Sequence, residues 1–138
     1  MISGEQGYVI DASALLAYLQ GEPGSNVVGE ALVFGGVVTA VNYAEVLSRL
    51  SDAGEDVDRA HRRMTETGLI GDLVEILSLT ETGAVALARL RRLTRSHGLS
   101  LGDRACLAAA IQLQAPVLTA DRGWDLLDLP VDIRQIRG

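Results

Sequence analysis

The chain has no lysine; all 12 of its basic side chains are arginines. That excludes a P-loop lysine, a Schiff-base lysine and the lysine that stands beside a receiver-type phosphoacceptor aspartate. What remains is the planar guanidinium fork, suited to bidentate contact with phosphate or carboxylate. Cysteine is almost missing as well. Cys106 stands alone, so neither an internal disulfide nor a cysteine zinc site can form, which suits a reducing cytoplasm. His61 and His97 have no metal-ligand spacing, and a helix C-terminus, where its partial charge is welcome, explains His97 better. Long apolar runs are absent too. The longest, 31–41, is split by Gly35-Gly36 and is too short to span a membrane, and residues 1–7 lack the basic start and apolar centre of a signal peptide. A basic excess is the last absence. The net charge of −6 opposes tight non-specific nucleic-acid binding, so any such substrate would need a local basic surface.

Apolar residues are plentiful and evenly spread over the 138 positions, without repeat or low-complexity tract. This predicts one domain, 1–138, burying roughly two-thirds of its unfolded surface. Strands are expected at 7–11, 37–39, 73–79, 117–119 and 131–133. The first helix is expected to be capped by Ser13 and ended by Gly21 and Pro23. Further helices are expected at 25–34, 41–53, 56–67, 80–96 and 104–113, with a helical turn at 124–127. His97 and Gly98 make a good C-terminal pair for the fifth helix, and Ser100 to Asp103 resembles a capping box before the sixth. The alternation predicts an α/β fold with a central parallel sheet flanked by helices on both faces.

Asp11 ends the apolar run Tyr8-Val9-Ile10, and Asp121 follows Val117-Leu118-Thr119-Ala120. Buried parallel strands read this way, and in open α/β sheets ligands bind beyond their carboxyl ends. Two carboxylates brought to that edge are costly to hold together without a cation. Each acid also has a local explanation. Asp11 or Ser13 could be a helix N-cap, and Asp121 a turn former before Arg122-Gly123. Asp103 sits where a capping-box acid would sit. Glu45 precedes Arg49 by four residues, the favourable order for a surface ion pair. Its neighbours Val41, Ala44, Val46 and Leu47 are apolar, however, and Asn42 lies one turn earlier, able to brace its carboxylate.

Four motifs embed these acids: Val-Ile-Asp-Ala-Ser, Val-Asn-Tyr-Ala-Glu-Val, Leu-Ser-Leu-Gly-Asp-Arg-Ala and Leu-Thr-Ala-Asp-Arg. In this order and spacing, from Tyr8 to about Ile133, the chain resembles the PIN-domain family, most closely the VapC-type toxin ribonucleases of bacterial toxin–antitoxin pairs. The resemblance implies that Asp11, Glu45, Asp103 and Asp121 form an acidic, catalytic pocket holding Mg²⁺ or Mn²⁺. Ser13 and Thr119 match hydroxyl positions that support the first and last aspartates, and Asn42 a polar position before the glutamate. It further implies RNA as substrate, tRNA or rRNA in particular, a cognate antitoxin as partner, and a homodimer. Gly102 is smaller than the family pattern leads one to expect, and Asp125 is read as a surface residue.

Independently of the family, hard oxygen ligands select Mg²⁺ or Mn²⁺, whereas zinc would prefer histidine or cysteine. Clustered carboxylates around such ions can activate water and neutralise phosphate during in-line displacement. The expected activity is hydrolysis of RNA phosphodiesters. An RNA surface is expected on the helix 80–96, where Leu87, Leu90 and Leu93 share one face and Arg89, Arg91, Arg92 and Arg95 lie opposite; a merely solvated face explains the same pattern. Arg59, Arg62 and Arg63 form a second cluster, read as solvated. Tyr43 and Trp124 could stack bases but are read as core or rim aromatics. The rivals are a PIN-fold RNA-processing or DNA nuclease and a catalytically silent interaction module. A phosphatase with an Asp-x-Asp pair is disfavoured by Ser13.

Overall fold

The structure is a computed structural model that describes residues 7–138. The reading of the first residues as lacking a signal peptide lies outside the described residues, apart from Gly7. No helix of the described residues is long and apolar enough to cross a membrane.

Among the described residues, five parallel strands form one sheet: β1 (Tyr8–Ile10), β2 (Gly36–Thr39), β3 (Val74–Leu77), β4 (Val117–Thr119) and β5 (Ile133–Gln135), in the order β3-β2-β1-β4-β5. Six helices connect them: α1 (Ala12–Gln20), α2 (Ser25–Leu32), α3 (Ala40–Asp52), α4 (Val57–Glu66), α5 (Glu81–Leu93) and α6 (Leu101–Leu113). The two-residue period of the strands divides the core. Ile10, Val38, Val74 and Leu118 pack with apolar side chains of α1 to α4, including Leu15, Val28, Val46 and Met64. Val9 and Val117 face the other way, onto Leu87 and Leu90 of α5, Leu107 of α6 and Trp124. Helices therefore cover both faces, as the alternating pattern predicts. Each fully buried Val, Leu or Ile contributes roughly 1.5–3 kcal/mol.

α6 is buried along most of its length because small residues clothe it. Gly102 and Arg104 to Ala110 are buried, and the helix packs on α3, on α5 and on the sheet. A helix apolar nearly all round belongs in an interior, and this one delivers its first turn to the carboxyl end of β1. The chain leaves β1 for β2 on one side, while β4 lies on the other. That makes the carboxyl ends of β1 and β4 the point where strand order reverses.

Several boundaries differ from expectation. Of the two candidate caps of α1, Asp11 takes the place and Ser13 does not, the Asp11 side chain accepting from the Ala14 N–H; as expected, Gly21, at φ 64°, ends the helix in a left-handed turn that glycine tolerates. The fifth helix stops at Leu93 and tightens into a 3₁₀ turn, Arg95–His97, before Gly98. Its buried stripe is Leu87, Leu90 and Thr94, whereas Leu93 is 67% exposed. At about 100° per residue, position 94 returns to the face of 87 and position 93 does not. The last strand lies two residues later than expected, at Ile133–Gln135. The turn near Trp124 is a 3₁₀ helix, Arg122–Leu126.

Candidate active site

Asp11, Glu45, Asp103 and Asp121 line one cavity of about 540 Å³ at the carboxyl edge of the sheet, together with Ser13 and Asn42. Each acid arrives from a different element. Asp11 directly follows β1 and is 5% exposed. Its Oδ1 accepts from the Ser13 hydroxyl at 2.7 Å and the Ala14 N–H at 2.8 Å, and its Oδ2 from the Thr119 hydroxyl at 2.5 Å. Both hydroxyls also accept: Ser13 from the Ala120 N–H and Thr119 from the Asp121 N–H, each at 3.0 Å. The two hydroxyls thus tie the first aspartate to the strand that carries the last.

Glu45 is held from its own helix. Thr39, the last residue of β2, caps α3 by accepting from the Asn42 N–H, and its hydroxyl donates to Asn42 Oδ1 at 2.6 Å. The Asn42 amide then donates to Glu45 Oε1 and to the Gly102 carbonyl, both at 2.9 Å. Asn42 is 2% exposed, so this short relay fixes α3 to the start of α6. A Cβ on Gly102 would overlap the Glu45 carboxylate, which explains the small residue before Asp103. The surface ion pair with Arg49, the local alternative for Glu45, does not form; among the described residues Arg49 has no carboxylate partner within ion-pair distance, and it lines the acidic cavity instead.

Asp103 completes the capping box of α6, accepting from the Ser100 N–H at 3.1 Å while Ser100 Oγ accepts from the Asp103 N–H. Asp121 Oδ1 accepts from the Gly123 N–H at 2.9 Å. The local explanations are therefore correct for Asp11, Asp103 and Asp121, and all of them are compatible with facing the cavity. In Glu45, Asp103 and Asp121 one named oxygen is braced, and among the described residues the other accepts no protein hydrogen bond.

Burial pushes the Asp11 carboxyl up from its ordinary 3.8 to about 6. The donors Thr119, Ala14 and Ser13 oppose that rise, and the charge of Asp103 adds to it. The Cys106 thiol, fully buried in α6, is raised by its burial and further by Asp11, Asp103 and Glu45. It is an inert core residue.

All the donors are carboxylate, amide or hydroxyl oxygen, the set of a hard divalent cation. Among the described residues no three acidic, histidine or cysteine side chains are gathered closely enough to enclose an ion directly. Mg²⁺ keeps several of its waters and takes one or two carboxylates. A roomy cavity with carboxylates on its wall fits a largely hydrated ion of that kind.

The other expected binding residues lie elsewhere. Neither α5 nor the 3₁₀ turn after it adds to the lining of this cavity; Arg89 and Arg92 are exposed on α5 and Arg95 on that turn. Trp124 is 1% and Tyr43 6% exposed, which makes both core residues. Asp125 is exposed and accepts from the Gln135 amide at 3.1 Å. The parts played by Thr39 and Arg49 do not emerge from the sequence pattern. A threonine closing a strand three residues before an asparagine is a capping signal; the direction of Arg49 has no local signal.

The PIN domain family model matches residues 8–129. Among curated proteins none matches. Among solved structures, FitAcB from Neisseria gonorrhoeae is similar with a TM-score of 0.69 at 21% identity, over 94% of this chain and 97% of that one. VapBC2 from Rickettsia felis, bound to a DNA fragment from their promoter, has a TM-score of 0.69 at 14% identity, over 93% and 97%. A toxin–antitoxin complex from Klebsiella pneumoniae has 0.65 at 16%, over 92% and 100%. These likenesses concern the fold, and the family match spans most of the chain: it belongs to the PIN domain family.

Proposed function

We propose that this protein is a metal-dependent endoribonuclease of the VapC toxin type, acting on tRNA or rRNA and restrained by a cognate antitoxin. The observation that carries the reading is the convergence of Asp11, Glu45, Asp103 and Asp121 on one cavity. Holding like charges together costs stability, and a pure binding module has no use for that cost. The similar fold of VapBC2 and of the toxin–antitoxin complex supports an antitoxin partner, and the family resemblance supports a homodimer.

Asp11, Glu45, Asp103 and Asp121 would hold Mg²⁺ or Mn²⁺. When bound, the ion would supply Lewis acidity toward a phosphate oxygen and a more acidic water. The chain's own part is positioning. Ser13, Thr119 and the Ala14 N–H fix both oxygens of Asp11, and Asn42 sets Glu45 relative to the start of α6. In metal-free protein below a pH of about 6 Asp11 holds a proton, which a cation must displace.

The test is cleavage of a pooled tRNA and rRNA preparation by antitoxin-free protein, with Mg²⁺, with Mn²⁺ and with chelator, beside folded Asp11→Asn. Discrete products that need metal and disappear in the variant are expected. Failure of correctly folded wild type to cut under any metal condition would sink RNA cleavage of these substrates and favour a DNA substrate or a silent module.

A further inference from the structure

Beside the acidic cavity lies a second one of about 290 Å³, which shares Ser13, Leu16 and Arg49 with the first. The seam between α1 and α3 is the common wall. Charge changes sign across it. Among the described residues, the first cavity is lined by four carboxylates with Arg49 as its one basic group, and the second by Arg49 and Arg137 with Glu22 as its one acid. We propose that Arg49 and Arg137 form a backbone-phosphate subsite. It takes the phosphate adjoining the one held at the acids, and so fixes the path of a single RNA strand into the site. The subsite rests on the ribonuclease reading of the acidic cavity.

The two arginines are prepared differently. Arg49 follows Glu45 by one turn of α3, is exposed, and has no carboxylate partner within ion-pair distance among the described residues. Its guanidinium is open to a ligand. Arg137 is aimed by the chain: its Nε donates to the Pro23 carbonyl at 2.8 Å, and its own carbonyl accepts from Arg122 at 3.0 Å. Among the described residues its one carboxylate partner is the exposed Glu22 at 3.6 Å, too long for a good hydrogen bond. Such a pair exchanges readily for phosphate, which accepts charge-assisted, forked hydrogen bonds. Gln20, also on the wall, adds a neutral donor.

A polynucleotide explains why an anion site should abut a cation site. A phosphodiester placed among the acids with a divalent ion has its neighbouring phosphate one sugar away, and the cavity that shares Ser13, Leu16 and Arg49 with the first is the neighbouring space assigned to it. In a chain of net charge −6, fixed cations at this one place would also offset the repulsion that RNA meets on approach.

The experiment is fluorescence anisotropy of a short fluorescein-labelled oligouridylate with Mg²⁺, titrated over a range of salt. It uses Asp11→Asn protein so that nothing is cut, with circular dichroism confirming the fold of each variant. Arg49→Gln and Arg137→Gln should each weaken binding roughly three- to tenfold. Each should also flatten the slope of log affinity against log salt by about 0.7. Arg63→Gln on α4, an exposed arginine paired with Glu55, should leave that slope unchanged. With the acids intact, on an RNA the protein cuts, the same two arginine variants should raise KM with little change in kcat.

If the double variant binds and cuts like its parent, or if the Arg63 substitution flattens the slope as much as those of Arg49 and Arg137, the subsite is overturned while ribonuclease activity stands. The subsite is equally overturned if the arginine variants lose affinity for a protein partner and keep it for RNA. If wild type neither binds nor cuts RNA, the ribonuclease reading falls and takes the subsite with it.

Discussion

Asp11 shows how one buried side chain can set both the chemistry of the site and its cost. Its carboxyl rises from 3.8 to about 6, mainly through burial. Between those values the folded protein keeps a proton that the unfolded chain has lost. The protonated group costs nothing below pH 3.8, and raising the pH through about 6 removes at most about 3 kcal/mol of stability. Asp11→Asn has no such titration. In metal-free protein the stability of Asp11→Asn relative to wild type should therefore improve by up to that amount between pH 4 and pH 8, as measured by urea unfolding. An equal difference at both pH values would mean that the carboxyl titrates alike in folded and unfolded chains. Gly102 makes the opposite case, a residue with no side chain that governs one. A Cβ there would overlap the Glu45 carboxylate, but that carboxylate is the movable end of a long side chain. Gly102→Ala should therefore fold with a stability change under about 1 kcal/mol and lose roughly tenfold or more in RNA cleavage as Glu45 leaves Asn42. Full activity in that variant would show that the position of Glu45 does not matter.

Among the elements, the tie between α3 and α6 concentrates in Asn42. Its side chain meets Thr39, Glu45 and the carbonyl of Gly102 while almost wholly buried. Asn42→Ala strands a buried carbonyl and a buried hydroxyl, and each unsatisfied group costs about 1–3 kcal/mol. A loss of roughly 2–4 kcal/mol in urea unfolding is expected, with activity falling further than in variants of equal stability elsewhere. A loss under about 1 kcal/mol would mean that water replaces the amide. Element order was legible because the signals are local: short apolar runs end in acids, Thr80 and Ser100 are caps whose side chains accept from Gly83 and Asp103, and Gly21 and Gly98 close helices. The misplacements occur where a local pattern gives way to packing. Leu93 looks apolar enough for the core, yet Thr94 takes the inward position and satisfies its hydroxyl on the Leu90 carbonyl at 2.6 Å. β5 shifts two residues along because its register with β4, Val117 opposite Ile133, is set across the sheet rather than by its own short sequence.

At the scale of the whole molecule, the acids were legible because Asp11 directly follows β1 and Asp121 lies two residues beyond β4, and the sheet brings those ends together. What sequence could not show is what meets across long separations: the Arg49 side chain standing away from Glu45, the approach of Gly102 to it, and Arg137 reaching back to Pro23. No periodicity records such contacts. The assembled result is an acidic chain with four of its carboxylates facing one cavity. A divalent cation binding there should stabilise the fold by mass action. A hundredfold excess over its dissociation constant contributes about 2.7 kcal/mol, which for a chain of this size is a rise of roughly 10 °C in unfolding temperature. Calorimetry at pH 8 should record that rise with Mg²⁺ or Mn²⁺ and its loss on chelation, with most of it missing in Asp11→Asn. Near pH 5 the rise should shrink even in wild type, because the proton on Asp11, lost only above about 6, competes with the ion. Sodium chloride at matched ionic strength screens surface charge without filling the cavity. If it reproduced the whole effect, the acids would be responding to screening, and the carboxylate site would have no claim to a bound metal.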